Sequence, residues 1–596
     1  MKKIFSLFLV AATAASSLLM TGCIEETTPE GSTVTEEMLT ASTKATEAML
    51  WGMPAKLYAY NEALGRSFHY DWGYGSIMHI RDVMTEEYAV ANSSYDWYDQ
   101  WENNYYLGEN YAAQQLVWQT FYKQILPTNQ MIDALADAEL NDAQKGYLAS
   151  AYAFRAFNYL DLARMFEFLP NDGTDAVNAD GNDVTGITVP IVTNETTEEI
   201  ARNNPRQTHY AMFDFIMSDL DKAEADIDKM SMSEKTVPSQ GVVYALKARA
   251  YLWHASFKAE ADANGGASFV PCDSTGSGYA NAMSSTEAYQ KAKEYAQKAI
   301  DLGVNTPLSQ SEWLNKTAGF NEINTSSWML GMSIPTEADC VQTGIINWTS
   351  WCSNEAKYGY AAAGPFVMIG KSIYDKINDS DFRKLSYKAP EDGALYNKSR
   401  ENAIETSQFD NLPTYSSLKI RPADGNTTEY SVGSATCVPM MRIEEMYFIV
   451  AECDAQLGNP AQAKAEIESF MQTYRDPSYQ CLYTSKDAVI EEIFLQKRIE
   501  FWGEGISYFD YKRLNKPVTR VYADTNFKTD AQFNTTTRPA WMNFCIVRSE
   551  ISNNNALQGW NNPDPSDCYT SGVGAKSRAG RTNRPEFAQK LTFKKF

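Results

Sequence analysis

Apolar residues recur at helical spacing in three long stretches of the chain. In the first stretch they return every three or four positions, as Leu148, Tyr152, Ala156, Tyr159 and Ala163. This spacing places them on one face of a helix. The second stretch pairs residues 242–257 with residues 289–300, and the third covers residues 446–471. The pattern therefore predicts a mostly α-helical protein.

The clearest predicted hairpin lies within residues 446–471. Its first helix stops at Leu457-Gly458-Asn459-Pro460, and a second starts at Ala461. Gly458 suits a C-terminal cap, and Pro460 suits a first helical turn, where its missing N–H costs little. Small alanines around such a turn are typical of a tetratricopeptide repeat, a helix pair of about 34 residues. The insert at residues 260–285 interrupts regular repetition, so an irregular helical bundle stays open as the alternative.

The amino-acid composition of the chain changes outside these helices. Two stretches are rich in Asn, Thr, Ser, Gly and Trp and hold few helical runs, which predicts an irregular, loop-rich, ligand-binding lobe packed on a tetratricopeptide-like scaffold. The predicted division is a signal peptide (1–22), a tether (23–40), a helical scaffold (41–302), a loop-rich lobe (303–440), a second scaffold segment with the C-terminal hairpin (441–514) and a loop-rich C-terminal segment (515–596).

The N-terminus has the features of an export signal. Two lysines precede an apolar stretch at residues 4–20, which is too short for a comfortable membrane span. The following Met20-Thr21-Gly22-Cys23 resembles the lipobox of bacterial lipoproteins, in which the Cys is acylated. An ordinary signal peptide with a Cys near its cut is the alternative. We expect attachment to a membrane by a lipid anchor on Cys23 only.

Charge and cysteine content narrow the function classes. The chain has 52 Lys and Arg against 75 Asp and Glu, a net charge of −23. This balance argues against nucleic-acid binding and against electrostatic docking on anionic lipid. The eight cysteines after Cys23 form no CxxC pair, so we expect them to be mostly free, with Cys340 and Cys352 the one pair worth testing as a disulfide.

Four segments combine charged, small and aromatic residues in a distinctive way. They contain Arg155-Ala156-Phe157 before Asp161-Leu162, then Ala248-Arg249-Ala250-Tyr251-Leu252, then Arg442-x-x-Glu445-x-Tyr447 before Ala451-Glu452, and last Arg498-x-Glu500 with Glu504-Gly505, Asp510 and Arg513. In this order they resemble the motifs of the SusD/RagB family. Residues 544–551 stand where that family has a Pro-Ile-Pro segment but lack both prolines.

The resemblance implies a function as well as a fold. Members of this family bind glycans without catalysis and hand oligosaccharide to a TonB-dependent, SusC-like transporter for nutrient uptake. The acidic residues behind Cys23 resemble the surface-export signal of Bacteroidetes lipoproteins, so the expected location is the outer membrane, facing outward. The charges of the last motif lie among aromatic residues, where they must be paired; we expect structural ion pairs there.

Catalytic alternatives find little support in the sequence. The four histidines show neither HxH nor HExxH spacing, and no GxSxG segment occurs. A glycoside hydrolase stays a rival, because the separation of two carboxylates cannot be read from sequence. A helical-repeat scaffold that binds only protein is the second rival.

The composition of one acidic loop suggests a cation-binding site. Asp172, Asp175, Asp180, Asn182 and Asp183 offer the hard oxygen ligands that Ca²⁺ prefers. The twelfth position from Asp172 is Asp183 and not the closing Glu, so a solvated loop is the favoured interpretation. Structural Ca²⁺ at Asp180, Asn182 and Asp183 is the only cofactor that the sequence suggests.

Two clusters have the composition of a sugar-binding surface, with aromatic rings for the faces of sugars and amides or carboxylates for their hydroxyls. They are residues 92–106 and 347–354. Neither shows helical apolar spacing, so we expect exposed rings there. Core packing is the alternative for each Trp taken singly. The candidate glycan-binding residues are Asp96, Trp97, Tyr98, Trp101, Asn347, Trp348 and Trp351.

Overall fold

The computed structural model describes residues 42–65, 68–91, 97–273 and 276–569. The predicted signal peptide, the tether with Cys23 and the candidate Asp96 lie outside the described residues.

Long helices dominate the first half of the described chain. In chain order the helices are α1 (Thr43–Leu57), α2 (Tyr74–Val83), α3 (Trp97–Glu102), α4 (Ala112–Ala134), α5 (Asp142–Phe166), α6 (Glu198–Ala201), α7 (His209–Asp226), α8 (Gln240–Ala263), α9 (Ser277–Asn281) and α10 (Ser285–Asp301). Short 3₁₀ turns span Ile227–Lys229 and Gly266–Ser268, and the strand β1 spans Tyr88–Val90.

Short elements fill the middle of the chain before long helices return. The helices are α11 (Gln310–Trp313), α12 (Asp339–Gln342), α13 (Trp348–Cys352), α14 (Lys371–Tyr374), α15 (Tyr396–Asn402), α16 (Thr406–Phe409), α17 (Tyr430–Gly433), α18 (Glu444–Gln456), α19 (Pro460–Tyr474), α20 (Lys486–Glu500), α21 (Ser507–Arg513) and α22 (Arg548–Asn553). The strands are β2 (Trp328–Ser333), β3 (Val367–Ile369) and β4 (Cys437–Arg442). The 3₁₀ turns are Ala361–Ala363, Phe382–Ser386, Ala423–Gly425, Thr529–Ala531, Ala540–Met542 and Asn555–Leu557.

The long helices pack as neighbours along the chain. Helix α5 contacts α4 and α7, α8 contacts α10, and α18 contacts α10, α19 and α20. Helix α5 begins at a capping box, in which Asn141 and Gln144 each accept a hydrogen bond from the other's backbone N–H. Such reciprocal bonds satisfy amides that a helix start leaves unpaired. The predicted helical stretches are confirmed.

Two small antiparallel sheets join distant parts of the chain. Strand β1 pairs with β3, with Tyr88 opposite Ile369. Strand β2 pairs with β4, with Trp328 opposite Arg442. Strand β1 precedes α3 in the chain, and β3 follows α13. The first sheet therefore connects the region of the first aromatic cluster with the segment that follows the second aromatic cluster.

The hairpin predicted at residues 446–471 is confirmed. Helix α18 ends at Gln456, and Gly458 has a φ of 87°, the left-handed conformation of a glycine cap. Pro460 is the first residue of α19. The turn is therefore formed by the residues from which it was predicted.

Overpacking this hairpin should destabilise it. Ala451 is buried in a small core with Phe448 and Ile467. We expect Ala451→Trp to lower the free energy of unfolding by about 1–3 kcal/mol, the usual cost of inserting bulk into a packed core. Ala461→Trp, at an exposed position in the first turn of α19, is the matched control. Equal losses of stability in urea unfolding of both variants would contradict this placement of the hairpin contact.

A buried cluster of charges surrounds Glu500 at the end of α20. The Glu500 carboxylate contacts Arg475 at 2.7 Å, Arg442 at 3.0 Å and Arg383 at 3.1 Å. Glu504 pairs with Arg442 at 2.9 Å. The expected ion pairing of the signature charges is confirmed. The arginines offset the free-energy cost of burying each carboxylate.

The cysteines of the described residues are all free thiols. Cys340 and Cys352 are both buried and are not joined, so the suggested disulfide is wrong. Within residues 42–65, 68–91, 97–273 and 276–569, no helix combines the length and apolar character that a membrane crossing needs.

Candidate functional site

The two aromatic clusters of the sequence meet in space. The rings of Tyr98 on α3 and Trp351 on α13 lie 4.9 Å apart, in an edge-to-face arrangement. Trp72, from the turn before α2, contacts Trp348 at 5.9 Å. Segments about 250 residues apart in the chain therefore build one aromatic region.

Most of the predicted sugar-binding residues are buried in this region. Trp101 is 1% exposed and Trp351 3% exposed, and Tyr98, Asn347 and Trp348 are equally enclosed. The expectation that these side chains are exposed is wrong. Their glycan contacts stay a prediction, but in this conformation the five side chains support a surface and do not form one.

Hydrogen bonds show why these side chains face inward. The Trp351 indole N–H donates to the His69 carbonyl at 2.9 Å. The Asn347 carboxamide oxygen accepts from the Ser350 N–H at 2.9 Å and thereby caps α13. The Tyr98 hydroxyl donates to Ser76 Oγ at 3.1 Å. These atoms of Trp351, Asn347 and Tyr98 are satisfied inside the protein and are not available to a ligand.

Trp97 is the predicted ring that reaches the surface, where it is partly exposed. Of the other part-exposed rings around it, Tyr105 and Tyr106 lie in the predicted cluster 92–106, and sequence reasoning missed Phe68, Tyr111 and Tyr360. We call this set the aromatic band; it consists of Phe68, Trp97, Tyr105, Tyr106, Tyr111 and Tyr360.

One half of the aromatic band is in direct ring contact. Trp97 lies 5.7 Å from Tyr106, which in turn lies 5.2 Å from Tyr111 and 6.4 Å from Tyr105. All three arrangements are edge-to-face, a favoured geometry for aromatic pairs. These rings therefore form a continuous series along the surface.

The buried rings connect the rest of the aromatic band. Tyr70 stacks on Phe68 at 5.2 Å and contacts Trp97 at 6.0 Å. Trp351 stacks on Tyr360 at 3.9 Å, with nearly parallel planes. The band is thus a partly exposed layer held by a second layer of packed aromatics. The aromatic run Phe68-His69-Tyr70 is the sequence signal for one missing part of the band, and the sequence analysis did not use it.

Helix α3, which carries Trp97, is fixed by charges. Lys528 pairs with both Asp99 and Glu102 on the helix. The Glu102 carboxylate also accepts from the Val90 N–H at 3.1 Å, and Arg520 donates to the Glu102 carbonyl at 2.7 Å. The C-terminal segment and β1 together set the orientation of Trp97. Both carboxylates of α3 are occupied in structural pairs.

A buried Cys–His pair beneath the aromatic band lacks the properties of a nucleophile. Cys352 Sγ lies 3.7 Å from His79 Nδ1. Burial raises the pKa of the Cys352 thiol well above its usual value and lowers the pKa of His79 to about 3. Both groups are therefore neutral near pH 7, whereas a catalytic Cys needs its thiolate.

The three calcium candidates take part in loop hydrogen bonds. The Asn182 amide donates to the Gly559 carbonyl at 2.8 Å, and the Asp183 carboxylate accepts from the N–H and the hydroxyl of Thr185. Asp180 is exposed. In the part of the chain that the structure describes, no three His, Cys, Asp or Glu residues are grouped as a metal site would require. This arrangement gives the suggested Ca²⁺ no support.

Comparison with protein-family models decides the membership of this chain. The model described as starch-binding associating with outer membrane, SusD-like, matches residues 65–252, and the model of the SusD family, SusD/RagB, matches residues 344–564. The chain belongs to the SusD/RagB-like family. Membership in the SusD/RagB-like family supports carbohydrate binding as the class of function. No curated protein matched the chain.

Solved structures of SusD-like proteins have the same fold. A SusD-like carbohydrate-binding protein from Bacteroides vulgatus superposes with a TM-score of 0.62 at 20% identity, over 86% of this chain and 97% of that one. A SusD superfamily protein from Bacteroides thetaiotaomicron gives 0.61 at 16% identity, over 86% and 98%. Surface glycan-binding protein A from the same species gives 0.56 at 14%, over 87% and 97%. The predicted mostly α, tetratricopeptide-like fold is confirmed.

Proposed function

We propose that this protein is a non-catalytic, surface-exposed lipoprotein of the outer membrane that captures oligosaccharide and passes it to a TonB-dependent, SusC-like transporter. The observation that carries the proposal is the aromatic band, whose part-exposed rings rest on a rigid layer of buried ones. Family membership supports the same class of ligand.

The aromatic band has the chemistry that sugar binding requires. The faces of sugar rings carry C–H groups that pack on aromatic rings, while hydroxyl groups of tyrosines at the same surface supply hydrogen bonds. Because Trp97 is held by packed neighbours, little conformational entropy is lost when a ligand stacks on it.

A single experiment separates this function from its two rivals. Purified protein carrying Cys23→Ala is applied to a glycan array, and each bound glycan is then incubated with the protein and analysed for products. Binding without products is the expected result. Release of shorter sugars would instead indicate a glycoside hydrolase. Failure to bind any glycan, together with capture of a protein partner, would indicate a helical-repeat scaffold.

The lipid anchor has its own test. Acyl chains on Cys23 would hold the protein at a membrane, because each buried CH₂ contributes about 0.8 kcal/mol. We expect Cys23→Ala to move the protein from the detergent phase to the aqueous phase in detergent phase separation. Cys568→Ala, at a half-buried thiol, is the matched control and should leave partitioning unchanged. Unchanged partitioning of the Cys23 variant would contradict the anchor.

The transporter partner is tested by co-purification. Affinity-tagged protein, solubilised from outer membranes in mild detergent, should retain a TonB-dependent transporter at a fixed ratio. Recovery of the tagged protein alone would contradict delivery to such a transporter and would leave glycan capture unaffected.

A further inference from the structure

A groove lies beside the aromatic band, between the segment that follows α13 and helix α16. Its volume is about 470 Å³, within the range of pockets that bind small ligands. The residues that line it include Lys357, Ala361, Ala362, Phe366, Gln408 and Asn411.

The walls of this groove combine one aromatic ring with amide groups. Phe366 is half-buried and packs on the core formed by Phe409 and Leu412. The Gln408 amide donates to the Asn354 carbonyl at 3.2 Å, which ties this wall to the end of the second aromatic cluster. Asn411 is exposed at the rim. An apolar face and polar rim groups together are what a sugar ring requires.

The groove carries little net charge. Lys357, its cationic side chain, is paired with Glu405. The Glu405 carboxylate also accepts from the Thr427 hydroxyl at 2.6 Å. The pairing leaves no unmatched positive charge to attract an anionic ligand, so the groove favours an uncharged one.

Tyr360 of the aromatic band is the direct chain neighbour of Ala361, which lines the groove. The Cα atoms of the two residues are therefore about 3.8 Å apart. Tyr360 stacks on Trp351 at 3.9 Å, and its N–H donates to Ser350 Oγ at 2.8 Å. The Ala361–Ala363 turn is therefore anchored to the buried layer that supports the band.

We infer that this groove is a second subsite for an uncharged oligosaccharide, which continues from the aromatic band into it. The inference rests on the proposed function. Chains long enough to reach both regions should bind more tightly than short ones, because the second contact forms within a complex that already exists. Small residues at Ala361 and Ala362 leave the room that the extended chain occupies.

The test measures affinity against chain length. The probes are malto-, cello-, xylo-, manno- and N-acetylglucosamine oligosaccharides, each as a series from disaccharide to decasaccharide, with the full chain carrying Cys23→Ala. In the class that binds, we expect affinity to rise by about tenfold or more and then to level off. Ala362→Glu, which fills the groove, should abolish this rise and leave binding of the shortest ligand unchanged.

Ala363→Glu is the matched control. Ala363 is exposed like Ala362 and lies in the same turn, but it does not line the groove. It should keep the full dependence on chain length. A second variant, Asn411→Ala, removes a rim group without adding bulk and should reduce the rise.

The outcomes separate the inference from the proposed function. Binding that does not depend on chain length, or a rise that persists in Ala362→Glu, overturns the subsite and leaves glycan binding intact. Absence of binding to every series and to every glycan of the array overturns both. Loss of the rise in Ala363→Glu as well as in Ala362→Glu also overturns the assignment, because the effect would then not come from the groove.

Discussion

Replacing Glu500 by Gln should lower the free energy of unfolding by about 3–5 kcal/mol, the usual cost of leaving a buried charge without its partner. The cluster around Glu500 holds four cations and four anions, all buried: Arg383, Lys419, Arg442, Arg475, Asp381, Glu444, Glu500 and Glu504. Removing one carboxylate leaves an excess positive charge that water cannot reach.

The effect should depend on pH in a defined direction. Burial alone would raise the pKa of Glu500, but Arg475, Arg442 and Arg383 outweigh it and hold this pKa well below its ordinary value. A carboxyl with a depressed pKa in the folded state contributes its stability above its unfolded pKa of about 4.3 and loses it at lower pH. The difference between wild type and variant should therefore be complete at pH 7 and shrink below about pH 4.

Urea unfolding at several pH values checks this prediction. Glu491→Gln is the matched control, because Glu491 is exposed and pairs with Lys516 at the surface. Such a pair contributes at most about 1 kcal/mol. If the two variants lost equal stability, or if the loss at Glu500 did not change with pH, the cluster would not have the role assigned to it.

Trp97 and Trp101 should respond to replacement by Ala in opposite ways. The Trp97 ring is partly exposed in the aromatic band, whereas Trp101, one helical turn away, is 1% exposed. We expect Trp97→Ala to weaken glycan binding by roughly thirtyfold, about 2 kcal/mol, with the melting temperature nearly unchanged. Trp101→Ala should cost about 3–5 kcal/mol of stability, because it opens a cavity in the core.

Calorimetry and thermal unfolding on both variants distinguish the two roles. The ligand is the glycan selected on the array, and binding of wild type at two salt concentrations serves as the reference. An uncharged sugar forms no ion pair, so its affinity should not change with salt. Normal affinity of Trp97→Ala would place the binding surface outside the aromatic band.

The helical scaffold was predictable because its signals are local. Gly458 and Pro460 specify the turn between α18 and α19 by their own backbone preferences, whatever lies around them. The capping box of Asn141 and Gln144 works in the same way within four residues. A few consecutive residues are therefore enough to specify the turn between α18 and α19 and the start of α5.

The candidate site was only partly predictable because burial is decided at long range. Trp351 faces inward since it bonds to His69, 282 residues away, and stacks on Tyr360. Tyr360 lies only nine residues from Trp351, but nothing near Trp351 in the sequence indicates the contact with His69. Composition identified two segments that do meet, but it did not show which of their rings would support the surface and which would form it.

The buried charges around Glu500 were predictable in one respect and not in another. Aromatic neighbours of Glu500 predicted that its carboxylate must be paired, and pairing is found. Two of its three partners, Arg383 and Arg475, lie outside the motifs that carried the family resemblance. The sequence shows that this buried charge needs a partner, but it does not show which residues supply it.

Arg520 joins the C-terminal segment to parts of the chain that are made much earlier. It donates to the carbonyls of Val83, Thr85 and Glu102, and the last of these lies 418 residues earlier in the chain. At a synthesis rate of about 5–20 residues per second, Arg520 is made roughly 20–80 seconds after Glu102. The helix that carries Trp97 is therefore made early, but Arg520 and Lys528, which hold it, come from the C-terminal part of the chain, so a product truncated before Arg520 would lack both groups.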